Sequence, residues 1–151
     1  MTDEQMFAKD WLNRNYGDHM EIEALRNRLE LLKNDIDRCT SVYGRADYQA
    51  YPDTKANREE LLAKAADMNN FFEKRIMQLK KEDEITLQVI QRLESGIYRT
   101  ILISRYINRL PWNKIQKNIK FERSNTYKLH SEALAKIYPY IREEIVGNDI
   151  S

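Results

Sequence analysis

A run of small, polar and basic residues between positions 113 and 131 has the chemistry of a polyanion binder. Arg123, Ser124, Asn125, Tyr127, Lys128 and Ser131 carry guanidinium, hydroxyl, carboxamide and ammonium groups close together in the chain. Such groups donate to and accept from base edges exposed in a DNA major groove. Just before them, Asn113, Lys114, Lys117 and Lys120 have the charges and donors that hold backbone phosphates without reading sequence. The surrounding composition agrees. Residues 97–142 hold 10 Lys/Arg against 2 Asp/Glu, the acids being Glu122 and Glu132, and such a local excess of cations is the electrostatic footprint of a nucleic-acid partner.

Helices must position these groups. Proline is well suited to the first residue of a helix, where its missing N–H would be unpaired anyway. Pro111 therefore predicts a helix from 111 to about 119 that buries Trp112, Ile115 and Ile119. The link Lys120-Phe121-Glu122-Arg123 is short, and Ser124 is the expected N-cap of the next helix. Placed at 100° intervals, Thr126, Leu129, His130, Ala133, Leu134, Ile137, Tyr140 and Ile141 fall on one side, toward a core. Ser124, Tyr127, Lys128 and Ser131 fall opposite, with Asn125 at the edge. Two helices joined by about four residues, the second the longer, form the pattern of a helix-turn-helix. An earlier amphipathic segment, with Ile101, Leu102 and Tyr106, supplies a third helix. Trp112 and Tyr106 are expected in the core, and Tyr127 stands on the polar face. His130 is read as a flank or phosphate contact, because no nucleophile or carboxylate stands in catalytic relation to it. Pro139 is expected to kink or restart the last helix, leaving a tail that stops before Gly147.

Three stretches, YRTILISRYI from Tyr98, PWNKI from Pro111 and RSNTYKLHSEAL from Arg123, resemble region 4 of bacterial sigma factors. Arg99, Leu102, Arg105, Tyr106, Ile115, Thr126, Ala133 and Leu134 match that pattern. The turn departs from it: the family has a glycine and a small apolar residue where this chain has Lys120-Phe121-Glu122-Arg123, read as one residue longer. The overall layout resembles the small late-gene activators of phages and prophages in Gram-positive bacteria, the RinA/ArpU-like group. The resemblance implies an activator or regulator that binds promoter DNA, with RNA polymerase, which region 4 touches, as a further candidate partner. The motif match spans about 45 residues, and nothing before residue 85 matches sigma region 2.

The rest of the 151-residue chain looks helical too. Ile22, Leu25, Leu29, Leu32, Ile36 and Cys39 recur at steps of 3, 4, 3, 4, 3 after a capping-box pattern at Asp18 and Glu21. This seam stops near Gly44. Residues 45–57 read as a loop containing Pro52, with Tyr43, Tyr48 and Tyr51 as an aromatic latch. A second helix, from near Asn57, carries Leu61, Leu62, Ala65, Met68, Phe72, Ile76 and Leu79. The pair folds most simply as an antiparallel hairpin, although an intermolecular coiled coil, and hence a homodimer, satisfies the same pattern. Lys80 to Glu84 is a charged stretch where this helix continues exposed or breaks. Beyond it, Ile85, Val89, Ile90 and Leu93 mark a further apolar face.

Composition narrows the function classes. Residues 1–96 carry 15 Lys/Arg and 19 Asp/Glu, whereas 97–151 carry 10 and 5. An acidic front and a basic back suggest two jobs. There is no Gly-rich phosphate loop, no nucleophile motif and no metal-binding spacing, so no enzymatic activity, metal or cofactor is expected. Cys39 stands alone, which allows no internal disulfide. No stretch is apolar enough for a membrane span and no secretory leader opens the chain, so the expected compartment is the cytoplasm of a bacterial host cell, at the nucleoid.

The expectation is an all-α chain: an N-terminal antiparallel helical hairpin or coiled coil (1–82) and a C-terminal sigma region 4-like helix-turn-helix bundle (83–151). Its partner is double-stranded DNA, and its job sequence-specific transcription regulation. Two rivals keep the helices and change the job. One is a phage packaging subunit resembling small terminases, which would form a large ring. The other is an RNA polymerase-binding protein without site specificity of its own, in which reversing charge at Lys117, Lys120 and Lys128 leaves activity intact.

Overall fold

In the computed structural model, residues 1–43 and 52–150 are described, with side chains at 1–39 and 56–148. Their regular structure is helical throughout: α1 (Asp3–Leu12), α2 (Tyr16–Tyr43), α3 (Pro52–Gln91), α4 (Gly96–Leu102) continued by a π-helical turn (Ile103–Ile107), α5 (Trp112–Ile119) and α6 (Arg123–Ile150). The side chains of the tyrosine latch and residues 45–51 of the expected 45–57 loop lie outside the described residues. Pro52 is itself the first residue of α3, which therefore begins about five residues earlier than the periodicity suggested.

The chain divides into two compact units, Met1–Asn15 with Lys80–Ser151, and Tyr16–Leu79. The division departs from the expected boundary at 82 because α1 belongs with the C-terminal half. Thr2 starts α1 with a reciprocal capping box: the Gln5 amide donates to Thr2 Oγ1 at 3.2 Å, and the Thr2 amide donates to Gln5 Oε1 at 2.8 Å. The same Gln5 side chain donates through Nε2 to the carbonyl of Ser131 on α6 at 2.9 Å. Ala8 and Leu12 then enter a core with Val89, Ile90, Leu102, Leu134 and Ile137. Each large aliphatic side chain buried there contributes about 1.5–3 kcal/mol. Arg14 closes the far end, donating to the Thr86 hydroxyl at 2.9 Å, pairing with Glu82 at 3.4 Å and lying 3.9 Å over the Trp11 ring. Arg14, just after α1, thus gives the Glu82 carboxylate a partner within the Lys80–Glu84 stretch, which stays helical.

In the other unit, α2 and the first part of α3 run antiparallel. Arg75 pairs with Asp18 at 3.0 Å and Glu21 at 2.9 Å, while Cys39, at the opposite end of α2, faces Asn57 and Leu61. The seam is unevenly covered. Ile22, Leu29, Leu32 and Leu79 are buried, but Leu25, Met68, Phe72 and Ile76 stay half-exposed.

Helix α6 runs through Pro139 and Gly147, where a restart and an early stop were expected. Pro139 and Ala135 are both exposed, so water can satisfy the Ala135 carbonyl that proline leaves without a donor.

Candidate nucleic-acid interface

Helix α5 and the start of α6 are mounted on one aromatic cluster. The Trp112 ring lies 5.2 Å from Tyr127 and 4.7 Å from His130, with the Arg105 guanidinium 4.8 Å above it. Arg105 also donates to the Leu110 carbonyl at 3.1 Å, tying the π-helical turn to the entry of α5. Pro111 sits one place before the helix rather than in it, with ψ 154°, and its carbonyl accepts from the amides of Lys114 and Ile115 at 3.1 Å. Ile115 is fully buried beneath.

The connection between α5 and α6 is Lys120-Phe121-Glu122, one residue shorter than expected. Lys120 takes φ 60°, ψ 34°, and its amide donates to the Gln116 carbonyl at 2.9 Å. A left-handed residue reverses the chain quickly, so Arg123 already starts α6. Ser124 therefore falls inside the first turn instead of capping it. The Glu122 carbonyl opens the helix, accepting from both the amide (2.9 Å) and the hydroxyl (3.0 Å) of the buried Thr126. A side chain in this conformation is strained by roughly 1–2 kcal/mol, partly offset by the freedom a glycine would have when unfolded. Lys120→Gly should thus raise stability by about 0.5–1 kcal/mol. A rise in the urea midpoint checks it, and an equal or lower midpoint contradicts it.

The sequence-predicted site residues separate into two groups. Asn113, Lys114, Lys117 and Lys120 are all exposed on α5 and the turn, and Arg123, Ser124, Asn125 and Lys128 are exposed at the start of α6. Lys128 is the helical neighbour of both Ser124, four residues before it, and Asn125, three before it, which joins them into one polar patch. Tyr127 does not stand free on it: the ring is long enough to fold back on Trp112, and Arg123 lies 5.6 Å over its face. Ser131 is half-buried, its carbonyl engaged by Gln5, so α1 closes the patch on that side. Sequence reasoning did not single out Phe121, 42% exposed at the tip of the turn, or Asn118, exposed between Lys117 and Lys120. The positioning roles of Gln5 and Arg105 were also missed, because both act through contacts distant in sequence or through a backbone carbonyl.

His130 is not a phosphate contact. It is 4% exposed, and its Nε2 lies 2.7 Å from the Tyr106 hydroxyl. Burial, reinforced by the positive charges of Lys9 and Arg105, pushes the imidazole down to about 4. The ring is thus neutral near pH 7, and its Nε2 lone pair can accept the Tyr106 O–H, with the ring proton assigned to Nδ1 on that basis. Burial likewise pushes the Tyr106 hydroxyl far above its ordinary range.

Among the described residues, no group of three or more His, Cys, Asp or Glu side chains converges to hold a metal ion. No helix among them is long and apolar enough to cross a membrane. The chain matches no family model, no curated protein and no solved structure.

Proposed function

We propose that the chain is a DNA-binding protein of the helix-turn-helix class, with α5 as the supporting helix and α6 as the helix that enters the major groove. Within that class we read it as a sequence-specific transcription regulator, an activator of phage or prophage genes. The observation that supports this reading best is the polar start of α6. Ser124, Asn125 and Lys128 stand exposed in the first turns after a three-residue link, while Thr126 and His130, on the face opposite Ser124 and Lys128, are buried. A helix presented in this way offers carboxamide, hydroxyl and ammonium groups to base edges. The exposed Lys114, Lys117 and Lys120 hold the phosphates on either side.

Selection from a random duplex DNA library at near-physiological salt, followed by sequencing, tests the reading. An enriched motif is expected. Salt-sensitive binding without enrichment would remove site specificity and move the protein to packaging or polymerase docking. A narrower expectation concerns Lys117. As a phosphate contact, its replacement in Lys117→Ala should weaken all duplex sequences alike and flatten the plot of log affinity against log salt by about one unit. A loss confined to the selected motif would assign Lys117 to base reading instead.

A further inference from the structure

One side of the α2–α3 hairpin carries an open groove lined by Leu25, Arg28, Leu32, Lys64, Asp67 and Phe71. Phe71 is 50% exposed there, and Leu31, 55% exposed, continues the same side of α2. A two-helix layer covers only one flank of each seam, which is why Leu25 and Met68 are left half-exposed. Apolar area of this kind on a surface helix pair marks an association site. The charges say what covers it. Arg28 and Asp67 sit at the middle of the groove, on α2 and α3 respectively, and among the described residues neither makes an ion pair.

We infer that this face docks on the same face of a second copy of the chain, forming an antiparallel four-helix bundle around a two-fold axis parallel to the helices. Because α2 and α3 run antiparallel, Arg28 and Asp67 lie at one level, with Leu25 and Phe71 on one side and Leu32 and Lys64 on the other. A two-fold axis along the helices lays α2 of one copy over α3 of the other. Arg28 then meets the partner's Asp67, Asp67 meets the partner's Arg28, and Phe71 meets the partner's Leu25. The alternative axis, across the helices, would stack Arg28 on the partner's Arg28, which like-charge repulsion disfavours. Self-complementarity of one patch under a two-fold rotation is the usual form of a homodimer interface. Burying the aromatic and leucine side chains supplies the drive, and the crossed ion pairs set the register.

The inference does not rest on DNA binding, and its test uses no DNA. Light scattering on the full chain at roughly 50 µM, a concentration at which a micromolar complex is mostly assembled, should report the mass of two chains. Arg28→Glu should raise the dimer dissociation constant roughly tenfold or more by facing the partner's Asp67 with a like charge. Arg28→Glu with Asp67→Arg should restore the dimer, since the pair is re-formed with its signs exchanged. Both positions are exposed, so an unchanged helical circular dichroism spectrum is expected throughout. A one-chain mass for the unaltered protein overturns the inference, as does a ring of more than two copies. A dimer insensitive to Arg28→Glu, or one not restored by the exchanged pair, overturns the crossed geometry.

Discussion

Asn125→Ala combined with Lys128→Ala is expected to weaken binding at the selected site by about 2–6 kcal/mol, while unrelated duplex DNA loses about 1 kcal/mol or less. Each side chain is exposed on the outward side of α6. Lys128 lies opposite the Thr126 and His130 side chains that fasten the helix and Asn125 at the edge of that outward face, both exposed, so truncation leaves the fold intact. A good base contact is worth about 1–3 kcal/mol of discrimination. The two residues are three apart on one helix and share a neighbourhood, so their sum sets an upper range. The unequal loss is the informative part. Lys128 also contributes one positive charge to every duplex, which accounts for the small sequence-independent share. Titration of fluorescent duplexes carrying the selected and a scrambled motif, at one salt concentration, measures both numbers. Equal losses on the two duplexes would mean that the start of α6 holds phosphates and reads nothing.

The arrangement that exposes these residues was partly legible in the sequence, and the legible part is the periodic part. Thr126, His130, Ala133, Leu134, Ile137 and Ile141 are buried where the 100° wheel placed them, because a helix against a core must repeat its apolar contacts every 3.6 residues. The turn was not legible. Its reversal depends on a left-handed Lys120, a conformation usually announced by glycine or asparagine, so the residue types alone point to a link one residue longer. Helix α1 was missed for a different reason. Only Ala8 and Leu12 are buried along it, which is too few to establish a period, and its remaining mark is the Thr2–Gln5 capping box. Tyr127 shows the limit of wheels for large side chains: its Cα sits on the polar side, but its ring reaches back to Trp112. The position of His130 followed from the periodicity, whereas its chemistry depends on Tyr106, placed beside it by the π-helical turn.

That buried imidazole should make the unit containing α5 and α6 acid-sensitive in a defined window. The ring titrates at about 4 when folded and near 6.5 when unfolded. Between those values the unfolded chain binds a proton that the folded chain refuses, so stability rises with pH across the window. The contribution is complete above about pH 6.5, falls as the pH is lowered, and is gone below about pH 4, a change of about 3 kcal/mol. The charged groups acting on the ring, Lys9 and Arg105, are both cationic and give the imidazolium no relief. Protonation would also remove the acceptor for the Tyr106 O–H, which lies beneath Trp112 and the start of α6. Other groups titrate over the same range, so the measurement is a difference of differences. Urea unfolding at pH 7 and pH 4 should show a smaller loss for His130→Gln than for the unaltered chain, by about 3 kcal/mol, because the carboxamide can accept from Tyr106 but takes up no proton. Parallel losses in the two proteins would show that His130 carries its proton in the folded state, and the neutral Tyr106–His130 pair under the candidate interface would have to be abandoned.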